Sequence, residues 1–104
     1  YRFTIPTGAD GKYCFFTSLH LEGSNTMESS SVAFYKNGTK IFYEEEGLDN
    51  VNIHTLVATF DLSAGDYIEL YVKGDIASSG TLTLNQDGTT TNNRCYWYGY
   101  KLGA

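Results

Sequence analysis

Residues 11–22 read Gly-Lys-Tyr-Cys-Phe-Phe-Thr-Ser-Leu-His-Leu-Glu. Taken by parity, Tyr13, Phe15, Thr17, Leu19 and Leu21 fall on one side, and Lys12, Cys14, Phe16, Ser18, His20 and Glu22 on the other. Side chains of an extended strand alternate between its faces, so this run describes a half-buried strand sending large aromatic rings into a core. No segment of the chain carries apolar residues at spacings of three and four over a helical length. The sequence therefore predicts an all-β chain of very low helix content.

The rest of the chain repeats this logic. Strand-like runs are predicted over 1–5, 12–22, 32–36, 39–43, 51–62, 67–73, 81–84 and 94–102. Polar or glycine-bearing segments separate them: a turn over 6–11, loops over 23–31, 44–50, 74–80 and 85–93, and a turn over 63–66. Asn37-Gly38 between two β-forming runs is the strongest local signal, because a type I′ hairpin turn needs positive φ at both central positions. Short strands at regular intervals with turn signals between them predict a two-sheet jelly-roll β-sandwich. At 104 residues the chain holds one domain, 1–104, with a real core.

The formal net charge of -5 argues against a nucleic-acid partner, since such binders displace counterions with clustered Lys and Arg. It argues equally against an anionic membrane face. No apolar run approaches the roughly 20 residues of a membrane-spanning helix, so membrane insertion is not expected. The chain opens inside a strand-like run and without Met, and is expected to be the C-terminal part of a longer one. Cys14 and Cys95 both read as strand positions. Two unpaired, semi-apolar residues are the simpler reading, with a bridge that would close a long loop as the alternative.

Four stretches resemble one family in order and spacing. Phe3-Thr4-Ile5-Pro6 followed by Gly11-x-Tyr13-x-Phe15 resembles the F-x-x-P…G-x-Y-x-F stretch of globular heads of the complement C1q and tumour necrosis factor type. Tyr35-Lys36-Asn37-Gly38 resembles their V-x-L-x-K-N-G hairpin, and 62–70 their L-x-x-G-D-x-V-x-L turn and strand. Residues 96–102 are similar to their terminal F-S-G-F-x-L strand. The wording T-I-P, Y-K-N-G, L-S-A-G-D-Y and G-Y-K-L is most similar to C1q-type domains of phage and bacterial fibre proteins. The 6–11 turn is longer than the family's, and the one or two strands that precede F-x-x-P there have no counterpart here. An exposed sheet edge is expected as a result, covered by upstream residues or by a neighbouring chain.

The resemblance implies a compact homotrimer around a threefold axis, a non-enzymatic head at a virion surface or in an extracellular setting that binds a host receptor or glycan. The residues agree with it in one respect. Trp97, Tyr98 and Tyr100 put large rings on both faces of the last strand; one face feeds the core, and the other is expected to meet a second subunit. Exposed Tyr67 and Tyr71 are candidates for stacking on sugar rings, against the alternative of cross-strand pairing or trimer packing. The loops over 23–31, 74–80 and 85–93 are better placed for recognition. A monomeric carbohydrate-binding module and a purely structural virion or coat component are the rival readings.

Enzyme chemistry finds little support in the sequence. His20 and His54 lie beside no recognised nucleophile motif. No cofactor is expected, with calcium as the one possibility, because hard cations take clustered oxygens. Its weak candidates are Glu44, Glu46, Asp49, Asp66 and Asp75, although no D-x-D-x-D-G loop is present. Asn37-Gly38-Thr39 matches a glycosylation triplet but already serves as a turn.

Overall fold

The computed structural model describes residues 2–76, 80–84 and 95–103. They form β1 (Arg2–Thr4), β2 (Gly11–Lys36), β3 (Thr39–Glu46), β4 (Asp49–Leu62), β5 (Tyr67–Ile76), β6 (Leu82–Leu84) and β7 (Tyr96–Leu102). All pairings are antiparallel, and the described residues contain no helix. The loop predicted over 85–93 lies outside the described residues, as do residues 77–79 of the loop predicted over 74–80, whose residues 74–76 instead continue β5 and pair with β2.

β2 organises everything else. Its 26 residues, at about 3.3 Å each, would reach roughly 85 Å if straight. The longest dimension of the molecule is 47 Å, so the strand has to fold over. It does so just after Glu22. Glu22 pairs with Val51 and Met27 with Asp49, so residues 23–26 of β2 face only residue 50 of β4. A bulge of this kind bends a strand and resets its faces. Buried positions run through Tyr13, Phe15, Thr17, Leu19, Leu21 and Met27, and then through Ser30, Val32 and Phe34 beyond a second irregularity between Met27 and Ser29. The inward parity changes from odd to even, which is what a folded-over strand needs to keep one face on the core.

The two halves of β2 each anchor one layer. The first half lies between β4 and β7, with β6 continuing the β7 flank against Leu21–Gly23. The second half lies between β3 and β5, and β1 closes the far edge of β5. Two antiparallel layers thus pack as a sandwich, and Phe15 of one half meets Phe34 of the other at 6.1 Å between ring centroids. Phe60, Tyr13, Ile5, Leu62, Ala58 and Ile68 complete the core. Phe15 also contacts Phe3, Phe60 and Trp97, so truncating it to Ala is expected to cost about 3–5 kcal/mol.

Two of the predicted loops are strand. The polar residues 23–31 belong to β2, and 29–31 are hydrogen-bonded into β5 while Ser30 and Ser31 also pair with β3. The acidic stretch 44–50 is divided between the end of β3 and the start of β4. The predicted hairpin is present, with Asn37 at φ 52° and Gly38 at φ 84°. Asn37 is occupied beyond its turn. Its amide nitrogen donates to Asp66 at 3.0 Å, and its carbonyl oxygen accepts from the Tyr67 backbone at 2.9 Å. Cys14 and Cys95 are not bonded to each other.

Candidate functional site

The outer face of the β4–β2–β7 layer carries a row of exposed apolar side chains. The outward residues of β7 are Tyr96, Tyr98, Tyr100 and Leu102, all exposed. Register places Val57, Phe16 and Tyr98 side by side across the three strands, and Thr59, Cys14 and Tyr100 in the next row. Phe16 stacks on Tyr96 at 5.9 Å and lies 5.6 Å from Tyr98. Ile53 and Val57 of β4 are 61% and 60% exposed. Among the described residues of this face, charged side chains stand at the ends, where Lys12 lies 3.7 Å from Asp61 and Glu22 lies 3.7 Å from His20. An apolar centre with a polar rim is the composition of a protein contact surface. A hydrogen bond with the Cys14 thiol raises the Tyr100 hydroxyl above its ordinary value.

Trp97 sits apart from its neighbours. It is half-buried and turned inward, 6.4 Å from both Phe15 and Phe34, whereas Tyr98 and Tyr100 face out. The three rings therefore divide between the faces as the alternation implies, Trp97 towards the core and Tyr98 and Tyr100 outward. Gly99 follows from the same geometry. A Cβ there would lie 2.4 Å from the Phe15 ring, so the β7 backbone lies directly on that ring.

The outer face of the other layer carries a smaller feature. Tyr43 of β3 and Tyr71 of β5 flank Ala33 of β2, and the small side chain leaves a hollow of about 170 Å³ between them. Tyr35 forms a further wall, its ring 4.5 Å from that of Tyr71. Tyr67 is less available, because the Arg2 guanidinium lies 4.0 Å over its ring.

The acidic candidates do not converge. Among the described residues no three metal-ligating side chains form a cluster. Glu44 and Glu46 lie together at the end of β3. The hydrogen bond and charge of Glu44 raise Glu46 above the usual carboxylate range, with His54 opposing. Asp49 accepts from the Val51 backbone at 3.5 Å, and Asp75 pairs at Ser29. Asp66 belongs to the 63–66 turn, where the Ser63 backbone N–H, then the Asn37 amide, hold its carboxyl below the ordinary 3.8.

One constellation escaped the sequence reading. Ser30 and His54 Nε2 lie 2.7 Å apart, and His54 Nδ1 contacts the Glu44 carboxylate. Asn52 donates its amide to Ser30 Oγ at 2.7 Å and to the Gly47 carbonyl at 3.2 Å. With Nδ1 donating to Glu44, Nε2 is free to accept the serine proton, which is the order of a serine–histidine–acid relay. Here Ser30 is 2% exposed and its oxygen already accepts from Asn52. The group ties three strands together where β2 folds. Its members are 24 and 10 residues apart and meet only where the two layers pack, so no local motif could have signalled it.

Compared with known proteins, the chain matches no family model and no curated sequence.

Proposed function

We propose that the chain is the non-enzymatic head domain of a surface or fibre protein, built as a jelly roll of the C1q and tumour necrosis factor type. Three copies assemble around an axis and present their outer surfaces to a receptor or glycan. The observation that carries this reading is the outer face of the β4–β2–β7 layer, where Ile53, Val57, Tyr98 and Tyr100 stand open around a band free of paired charge. A surface of that kind costs free energy in water at about 25 cal/mol per Å², and burial between copies removes the cost. The strand order is consistent with a jelly roll: the two halves of one folded strand lie centrally in opposite layers, flanked by β4 and β7 in one and by β3 and β5 in the other. The free edge of β7, which pairs with β2 alone among the described residues, suits a further strand from upstream or from a neighbour. The assignment to phage or bacterial fibres, and to a virion surface or extracellular setting, rests on the resemblance in the sequence.

Sedimentation equilibrium tests the proposal. A mass of three copies at micromolar concentration is the expected result, and a stable monomer there overturns it.

A further inference from the structure

We infer that the hollow above Ala33 is a binding site for a single acidic sugar ring, one bearing a carboxylate or a sulfate. This rests on the recognition role proposed above and names the ligand class for it. The floor is Ala33, small and 6% exposed, with Tyr43 and Tyr71 on either side of it in register. These two rings are 61% and 50% exposed, with the Lys40 ammonium over one and Tyr35 packed against the other, and their exposed edges and hydroxyls border the hollow. Aromatic faces paired with polar tips suit the apolar C–H face and the hydroxyls of a sugar. At about 170 Å³ the hollow falls below the roughly 300–1,000 Å³ of pockets for drug-sized ligands, so it takes one ring and not an extended chain.

The charge comes from Lys40 and Lys73, which line the hollow from β3 and β5. Neither has a carboxylate partner among the described residues, in a chain whose net charge is -5. Glu69, the neighbouring acid on β5, is held by Arg2 at 3.6 Å, and Glu45 is not part of the lining. A second observation concerns how Lys40 comes to be there. Tyr35 pairs with Lys40, while Phe34 pairs with Phe42, so Ile41 is an extra residue in β3. Without that bulge the alternation running back from Tyr43 would send Lys40 to the opposite face. With it, the ammonium lies 4.7 Å over the Tyr43 ring. Bulges of this kind re-aim a side chain beside a site.

The test titrates the chain with N-acetylneuraminic acid, glucuronic acid and galactose 6-sulfate, and with galactose, glucose and sodium sulfate as comparators, followed by NMR. Millimolar binding of at least one acidic sugar, at least ten-fold tighter than its neutral counterpart and weakened by salt, is expected. The Lys40→Ala/Lys73→Ala double variant is expected to lose about ten-fold, at up to about five-fold per exposed charge. Tyr43→Ala, at an exposed position, is expected to weaken binding while leaving the fold intact. Equal binding of neutral sugars overturns the inference, as does sulfate competing as well as the acidic sugars, or no binding up to tens of millimolar. Light scattering on the same samples separates the two readings. A trimer that ignores these sugars overturns this inference alone, and a monomer that binds them overturns only the assembly.

Discussion

The double substitution Ile53→Glu/Val57→Glu gives the sharpest test of assembly. Full burial of a Val or Ile side chain is worth about 1.5–3 kcal/mol. With 61% and 60% of these two residues bare, covering the remainder contributes about 1–2 kcal/mol for each, and about 5–11 kcal/mol for two residues in each of three copies. The Glu variant removes that term and adds the cost of burying charge. Each 1.4 kcal/mol is ten-fold, so trimer dissociation should strengthen by at least about three decades. In an isolated subunit both positions face water, and the same change should alter folding stability by no more than about 1 kcal/mol. Sedimentation equilibrium from micromolar to hundred-micromolar concentration, together with far-UV circular dichroism, distinguishes dissociation from unfolding. A variant that still sediments as the wild type does, at a wild-type mass of three copies, would refute the placement of the contact on this face.

Gly99→Ala forces a methyl against the Phe15 ring and should destabilise the fold by about 1–3 kcal/mol, seen as a Tm drop of several degrees; an unchanged Tm would mean that β7 does not rest on that ring. Ser30→Ala removes one of the two acceptors of the Asn52 amide and the hydroxyl facing His54 Nε2 in a buried site, and should cost about 1–3 kcal/mol in urea unfolding, more than an exposed Ser→Ala change such as Ser63→Ala. For Asp66 the folded-state carboxyl titrates below its unfolded value, so its contribution is fully present above pH 4 or so and is lost as pH falls through the lowered value. Asp66→Asn should therefore flatten the acid limb of the stability profile, and an identical limb would remove Asp66 from it.

Legibility of the fold in the sequence followed patterning. The alternation of 12–22, the Asn37-Gly38 turn and the inward Ile68 are all present as the residues imply. The stretch 23–31 misled for a physical reason. Its serines, Asn and Glu are the composition of a loop, yet Ser30 and Ser31 each pair with strands on both sides, and tertiary context overrides weak β-propensity. Glu44 and Glu46 misled in the same way. They continue β3 on the inward parity because His54 lies opposite to receive a carboxylate, a partner visible only after the ribbon folds. The hollow over Ala33 was half legible. Tyr71 is a sequence candidate, but Lys40 points the wrong way by simple parity, and only the bulge at Ile41 corrects it.

The continuity of β2 has a mechanical consequence. Sandwich layers joined by loops can slide or open one at a time, each keeping its own hydrogen bonds. Here a single backbone is the spine of both layers, so pulling one apart strips a ladder on which the other depends. Amide hydrogen exchange along that spine should report one opening event with a common free energy, instead of two regions that breathe separately.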